Sequence, residues 1–251
     1  MLKTTSLYDG QIEHLLLDNG KGNILDAGLL TAIRQHLYTL GRPQLKLLIF
    51  EGAGKHFSFG ASVPEHLPVQ VEVMLPGFHA LFRELEDVGV PTLALVRGAC
   101  LGGGFELATW CGRVLVSPSA NLGVPEVTLG VFPPIAAMGL RWRLGGNRAS
   151  ELVVTGRSVG AEEAVAIGLA EDCSEDLEAA WRGWFETHLL PRSAVAVRFA
   201  WRASRAPVRQ ALREELPELE RLYLEELMAC QDPVEGLTAF IERRKPDWSH
   251  A

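Results

Sequence analysis

Cysteine is scarce and isolated in this sequence. The four cysteines form no CxxC pair and stand at no metal-ligand spacing with a histidine. A chain long enough to bury a large core needs no disulfide bonds, so we expect reduced thiols and a cytoplasmic protein. No apolar run approaches the length of a membrane span, and the segment before Glu13 is too polar for a signal peptide. Neither secretion nor a membrane span is therefore expected.

Positive charge is also in short supply. The chain has 24 Lys and Arg against 31 Asp and Glu, a formal net charge of −7. Binding to a phosphate backbone would need a strong local basic patch, and the sequence contains none. We therefore expect no nucleic-acid partner.

Several signatures of catalysis and cofactor binding are missing. No HExxH or comparable pair predicts a metal site, no GxSxG predicts a serine hydrolase, and no nicotinamide or flavin motif is present. The stretch from Gly52 to Lys55 resembles a phosphate loop, but Ile49 stands where the first glycine is required and His56 where Ser or Thr belongs. A nucleoside-triphosphate site is excluded. His56 and His66 are ten positions apart, and we expect both at the surface or in loops.

The sequence does contain an alternation of short apolar runs with helical patterns. The strand-like runs are Ile12–Leu17, Leu45–Phe50, Thr92–Val96 and Val114–Val116. Helical patterns at Leu29–Leu40 and Phe78–Leu85 lie between several of these runs. The alternation predicts βαβ units and an α/β core.

Beyond Pro133 the pattern becomes mostly helical. Helical segments are predicted at Glu151–Val154, Ala161–Gly168 and Ala179–Leu190. We divide the chain into a core domain, 1–190, and a C-terminal helical region, 191–251, whose predicted role is oligomerisation.

The C-terminal region carries two apolar helix faces. The first consists of Leu216, Leu219, Leu222, Tyr223 and Leu227. Asp232 is predicted to cap the second helix, with Pro233 in its first turn. These faces must dock on the core or on a neighbouring subunit. A further row of arginines is predicted to form a solvated face: Arg198, Arg202, Arg205 and Arg209.

Two glycine-containing turns follow predicted strands. In Leu101–Leu107, three glycines precede a helical run, where free N–H groups and the helix dipole favour an anion. In Lys55–Ser62, Gly60 makes the entry to a helix that Ser62 can cap, so the N–H of Ala61 lies near a helix start. Each turn can supply an exposed backbone donor, although a tight turn without a ligand explains a glycine run equally well.

Two glutamates are candidates for proton transfer. Glu106 falls in the first turn of the helix after the glycines, where the dipole favours a carboxylate whether or not it reacts. Glu126 is flanked by apolar residues, which would raise the pKa of a buried acid as a general acid requires. A solvated loop carboxylate remains the alternative for Glu126.

At these residues the sequence resembles the crotonase family, the enoyl-CoA hydratase/isomerase superfamily. GGGFELA is followed twenty residues later by the glutamate of GVPEVTLG, and the two segments together are far more specific than either alone. ELVVTGRSVGAEEAVAIGLA and GLTAFIERRKPDW resemble the later parts of the family. The resemblance implies an α/β fold with a spiral core of ββα units and a helical C-terminal region.

The resemblance also implies an active site. Ala61 and Gly103 match the backbone donors that polarise a thioester carbonyl, Glu106 matches the residue that activates water, and Glu126 matches the residue that exchanges the α-proton. Coenzyme A would enter as part of the substrate, with no other cofactor. Positions matching or adjoining the family's coenzyme A site are Lys55, Phe59, Ala61, Phe240 and, from a neighbouring subunit, Arg243. The implied assembly is a homotrimer or a dimer of trimers.

Departures from the family pattern bear on the substrate. Pro134 stands where hydratases usually have a glycine whose N–H helps to hold the water, and Ile135–Met138 replaces a glycine-rich turn. Phe57–Val63 resembles the cyclic dienoyl-CoA hydratases, so the expected substrate is a cyclic dienoyl thioester such as cyclohexa-1,5-diene-1-carbonyl-CoA. Phe57 and Phe59 would offer flat surface to a ring if either reaches the acyl pocket.

Other functions stay open at this point. On the same fold they are a straight-chain enoyl-CoA hydratase, an isomerase and a carbon–carbon hydrolase, since one oxyanion hole serves all of them. From another class, a non-catalytic acyl-CoA-binding protein would keep the fold without turnover. The presence of both glutamates favours hydration.

Overall fold

A computed structural model describes residues 1–251, and it consists of two β-sheets surrounded by helices. The nine strands, β1 to β9 in chain order, are Leu2–Leu7, Ile12–Leu17, Leu47–Gly52, Thr92–Val96, Ala99–Leu101, Arg113–Val116, Asn121–Gly123, Ser158–Gly160 and Asp172–Cys173. The larger sheet has the order β1-β2-β3-β4-β6-β9, and the smaller one has the order β5-β7-β8. The four strands predicted from apolar runs are confirmed, two of them with ends shifted by one or two residues.

The larger sheet is parallel except for its first pair of strands. Its register aligns Leu15 with Phe50, Phe50 with Ala94, and Ala94 with Val114, all of which are buried. Both faces of the central strands are covered, which explains why the sequence shows continuous apolar runs rather than alternation.

Successive ββα units wind the chain between the two sheets. β4 belongs to the larger sheet and β5 to the smaller one, and the helix at Gly103 follows directly. After β3 the chain repeats this course, because Ser58 forms a parallel bridge to Cys100 in β5. The predicted spiral ββα core is thus confirmed.

Helices cover the sheets and form the end of the chain. The twelve helices, α1 to α12, are Ala27–Tyr38, Val71–Val88, Gly103–Trp110, Pro134–Gly139, Arg141–Leu144, Gly146–Thr155, Ala161–Ala166, Leu177–His188, Ala194–Ser204, Ala206–Glu214, Leu216–Arg221 and Asp232–Glu242. α8 covers one face of the larger sheet, where Trp181 and Phe185 pack with Ile49. None of the helices combines the length and apolar character needed to cross a membrane.

The C-terminal helices share the main hydrophobic core with the rest of the chain. Val208, Leu216 and Leu237 are buried in the same cluster as Phe50. The predicted boundary at residue 190 falls in the connection between α8 and α9.

Arg202 in the predicted arginine row is exposed as expected, but Arg205 and Arg209 are not solvated. Arg205 donates to the buried carboxylate of Glu86 at 2.5 Å, and Arg209 donates to the Glu86 carbonyl oxygen at 2.5 Å. These contacts attach α10 to the end of α2. The reason is positional, because the row faces the carboxyl-terminal end of a helix, where cations are favoured.

Three local predictions for the helices are wrong. The Ser62 side chain does not cap the 3₁₀ turn Val63–His66. Asp232 does not cap α12 either, because its carboxylate accepts the N–H groups of Ser249 and His250 in the C-terminal tail. The apolar face that starts at Leu216 is not one helix: after α11 the chain forms a π turn, Leu222–Glu226. For Asp232, a tertiary contact overrides the local signal.

Candidate active site

The two glycine-containing turns predicted from the sequence meet in the structure. A Cβ atom on Gly60 would lie 2.9 Å from the carbonyl oxygen of Leu101 and 3.2 Å from the amide nitrogen of Gly103, so only glycine allows this approach. Neither the N–H of Ala61 nor that of Gly103 donates a hydrogen bond within the chain. Two free amide donors therefore lie side by side, as an oxyanion site requires.

Ser58 shapes the first of these turns. Its hydroxyl donates to the carbonyl of Asn23 at 2.8 Å and accepts the N–H of Gly60 at 3.0 Å, while its own carbonyl accepts the N–H of Leu101 at 2.9 Å. Ser58 and Asn23 are fully buried. The turn is thus held rigidly before any ligand binds.

Glu106 lies in the first turn of α3 and is buried. One of its carboxylate oxygens accepts the N–H of Ala136, in the first turn of α4, at 2.8 Å. Burial raises the pKa of Glu106 to about 7, and the backbone hydrogen bond opposes this rise. Near neutral pH this side chain can both accept and release a proton.

Glu126 lies in the 3₁₀ turn Pro125–Leu129 and faces the second glycine turn. A Cβ on Gly102 would lie 3.0 Å from its Oε1 atom. Its Oε2 atom is buried and has no hydrogen-bond partner. Burial, followed by repulsion from Glu106, raises the pKa of Glu126 well above its ordinary value. The pair thus favours a state that holds a proton on Glu126 while Glu106 is the more readily ionised.

Both glutamates line one cavity of about 70 Å³, and Ala61 of the first turn and Gly103 of the second turn line it too. Most of its other walls are apolar: Phe59, Val63, Met74, Leu75, Phe78, Leu129, Val131, Phe132, Pro133, Pro134 and Leu237. All four residues predicted for the reacting centre are therefore brought together. Such a cavity, apolar with a few convergent polar groups, is typical of small-molecule sites.

Two polar residues of this cavity were missed by the sequence analysis. His66, expected at the surface, lines the cavity and contacts the carbonyl of Ser62 through Nδ1 at 2.9 Å. Tyr223 also lines it, is almost completely buried, and has a hydroxyl without a partner. The only sequence signal for Tyr223 was a polar atom within an apolar helix face. His66 carried no signal beyond its place just after the first turn.

The residues predicted for coenzyme A lie at different distances from this cavity. Phe59 is at its rim and packs on His56, with ring centroids 4.8 Å apart, whereas Phe57 is buried in the core and does not line it. Lys55 lies in a separate surface cleft with Lys21. Phe240 and Arg243 are exposed at the end of α12, outside the cavity. No three His, Cys, Asp or Glu side chains are grouped so that they could hold a metal ion.

Comparisons with known proteins agree with this fold and site. Residues 10–251 match the sequence profile of the Enoyl-CoA hydratase/isomerase family. The chain is 44% identical over 250 residues to cyclohexa-1,5-dienecarbonyl-CoA hydratase from Thauera aromatica, covering 99% of this chain and 97% of that relative. It is 34% identical to the probable enoyl-CoA hydratase echA8 of Mycobacterium bovis, covering 83% and 82% of the two chains.

Solved structures are similar over the whole length. An enoyl-CoA hydratase from Mycobacterium avium subsp. paratuberculosis superimposes with a TM-score of 0.84 at 26% identity, covering 99% of this chain and 98% of the other. The enoyl-CoA hydratase of Bacillus halodurans, at 20% identity, has a TM-score of 0.85 and covers 95% and 99%, which shows the shared fold. The chain therefore belongs to the enoyl-CoA hydratase/isomerase family.

Proposed function

We propose that this protein hydrates an α,β-unsaturated acyl-CoA thioester, and that the acyl group is a cyclic diene such as cyclohexa-1,5-diene-1-carbonyl. The observation that carries the reaction is the pair Glu106 and Glu126 in an apolar cavity beside two unpaired amide donors. The 44% identity with a relative named as a cyclohexa-1,5-dienecarbonyl-CoA hydratase supports the choice of acyl group.

The amide groups of Ala61 and Gly103 bind the thioester carbonyl oxygen. Addition of water to the conjugated double bond moves electrons onto this oxygen and forms an enolate. Preorganised donors stabilise such a charge, and each can contribute about 3 kcal/mol to the transition state. Both N–H groups are free of other hydrogen bonds, so no existing contact has to break.

The two glutamates move the protons. Glu106 takes a proton from water as the water oxygen bonds to the unsaturated carbon, and Glu126 then gives a proton to the α-carbon as the enolate collapses. Glu106 ends protonated and Glu126 ionised, so one proton transfer between them restores the starting state. The raised pKa of Glu126 and the pKa of about 7 at Glu106 match this division of roles.

Coenzyme A is bound as part of the substrate, and no other cofactor takes part in the proposed reaction. Phe59 and Ala61 lie where the thioester enters the cavity, and Lys55 supplies a positive charge in the neighbouring cleft. Phe240 and Arg243 complete the site from a neighbouring subunit of a trimer or a dimer of trimers. Their exposure at the end of α12 leaves them free for such a contact.

A competition between cyclohexa-1,5-diene-1-carbonyl-CoA and crotonyl-CoA tests the proposed substrate. The expected result is a far higher kcat/KM for the cyclic thioester, with the products separated by chromatography. A preference for crotonyl-CoA would contradict the cyclic acyl group and leave hydration standing. Double-bond migration without addition of water would instead identify an isomerase.

Substitution of the glutamates tests the reaction itself. Glu106→Gln and Glu126→Gln should each lower kcat by about a hundredfold to ten-thousandfold, because they remove proton transfer and leave the amide donors in place. Affinity for a saturated acyl-CoA, measured by calorimetry, should change little. Rates within threefold of the wild-type rate in either variant would refute the assigned roles.

A further inference from the structure

Tyr223 presents an unused hydrogen-bond donor inside the cavity that holds the two glutamates. The residue is 1% exposed, its hydroxyl is buried without a partner, and it lines the same cavity as Glu106 and Glu126. A buried hydroxyl without a partner is destabilising, and native structures seldom contain one. The fold does not use this hydroxyl.

An irregular backbone turn and an aromatic contact fix the position of the Tyr223 side chain. Tyr223 lies in the single π turn Leu222–Glu226 between α11 and a 3₁₀ turn. π turns in helices are found frequently at functional sites. The ring is fixed by Phe132, with centroids 5.3 Å apart, so the hydroxyl has a defined position.

One part of the cavity wall lacks backbone donors. Pro133 and Pro134 both line it, and neither has an N–H group. The next two backbone donors, the N–H groups of Ile135 and Ala136, are both directed at Glu106. A water molecule near the glutamates therefore finds acceptors in the carboxylates but no backbone donor from this wall.

We propose that the Tyr223 hydroxyl is this missing donor, and that it binds the water oxygen before addition and the product hydroxyl afterwards. The inference rests on the proposed hydration and adds a third polar side chain to the reacting centre. The unpartnered Oε2 atom of Glu126 lies in the same cavity, so an oxygen between the two residues would give both groups a partner. Burial and the nearby carboxylates raise the pKa of Tyr223, which keeps the phenol protonated and able to donate.

The test uses Tyr223→Phe, which removes only the hydroxyl, and Tyr38→Phe as a matched control. The Tyr38 hydroxyl is at the surface, where it donates to Glu84 at 2.9 Å. Tyr223→Phe should lower kcat about tenfold, as expected for the loss of one hydrogen bond to the reacting oxygen. It should unfold at the same temperature as the wild type or a higher one, because the fold does not use this hydroxyl.

A binding measurement separates this role from packing and from the reaction. 2-Hydroxycyclohexane-1-carbonyl-CoA, which carries the β-hydroxyl that hydration installs, and cyclohexane-1-carbonyl-CoA differ only in that hydroxyl group. In Tyr223→Phe, the ratio of their Kd values should shift about tenfold against the hydroxylated ligand, and it should not shift in Tyr38→Phe.

An unchanged ratio together with unchanged kcat would overturn the proposal, and so would equal weakening of both ligands. If the wild-type protein hydrates no enoyl thioester and the ratio still shifts, the proposed function fails while the hydroxyl contact stands.

Discussion

At Gly103 an added methyl group would crowd the two oxyanion donors. A Cβ there would lie 2.9 Å from Cζ of Phe78 and 3.3 Å from the amide nitrogen of Ala61. Gly103→Ala would thus place a methyl group where the carbonyl oxygen must approach both donors. We expect kcat/KM to fall by about a hundredfold or more, as on the loss of an oxyanion donor.

Gly77→Ala is the matched control for this variant. Gly77 is inside α2, and a Cβ there meets no atom within 4 Å. Alanine is favoured over glycine in a helix by about 0.5–1 kcal/mol, so this variant should fold and react normally. Steady-state kinetics of both variants are the measurement, and equal kinetics would argue against the oxyanion site at Gly103.

The raised pKa values of the two glutamates also predict how stability depends on pH. Because the pKa of Glu106 is about 7 in the folded state against an ordinary value of 4.5, the folded state binds more protons than the unfolded state between these pH values. The free energy of unfolding should therefore fall as pH rises through this window, and Glu126 acts in the same direction.

A double variant, Glu106→Gln with Glu126→Gln, should lose this dependence. Relative to the wild type, its free energy of unfolding should rise by at least about 3 kcal/mol between pH 4.5 and pH 8, which is the share of Glu106 alone. Urea unfolding at a fixed protein concentration measures the change, with Glu72→Gln at an exposed position as baseline. A difference between the double variant and the wild type that is constant with pH would contradict the raised pKa values.

Among the elements, α10 is attached to α2 in part by one buried ion pair. Glu86 is 5% exposed and accepts from Arg205 and, at 3.0 Å, from Nε1 of Trp110. Removing the arginine leaves a buried carboxylate with no cationic partner. Arg205→Ala should therefore lower the free energy of unfolding by about 3–5 kcal/mol.

Arg221→Ala provides the comparison for Arg205→Ala. Arg221 forms its ion pairs on the surface, where its side chain is 49% exposed, and its loss should cost less than about 1 kcal/mol. Chemical unfolding of the two variants under identical conditions is the measurement. Similar losses would mean that Arg205 does not anchor the C-terminal helices.

For the whole molecule, the prediction concerns assembly and the completion of the coenzyme A site. Large apolar side chains remain exposed on the C-terminal helices, among them Phe199 at 65% and Phe240 at 55%. A trimer or a dimer of trimers would cover part of this surface, and light scattering should give the corresponding mass. A fully active monomer at micromolar concentration would contradict the assembly.

Arg243 tests the contribution of a neighbouring subunit. Arg243→Gln should raise KM for the acyl-CoA thioester about tenfold and leave kcat nearly unchanged, because the residue would contact coenzyme A and not the reacting atoms. Lys245→Gln, an equally exposed change two positions later, is the control. Equal effects of the two substitutions would remove Arg243 from the coenzyme A site.

The sequence by itself determined four of the nine strands, the two glycine turns and the two candidate glutamates. Thr92–Val96 is a strand because its residues are buried on both faces, and this burial leaves a continuous apolar run in the sequence. The turns were equally visible, because Gly60 and Gly102 adopt positive φ angles that other residues rarely adopt. Such patterns can be predicted from the sequence because they involve residues that are consecutive in the chain.

Only the tertiary structure decided which distant side chains share the cavity. In the sequence Tyr223 is part of an apolar helix face, whereas in the structure it lies in a π turn and lines the cavity that holds the two glutamates. Phe57 and Phe59 look equivalent in the sequence, yet the first is buried in the core and the second lines the cavity. The sequence predicts a solvated Arg205, whereas in the structure its guanidinium donates to the buried carboxylate of Glu86. These outcomes depend on contacts between segments far apart in the chain, and such contacts leave no local pattern of residues.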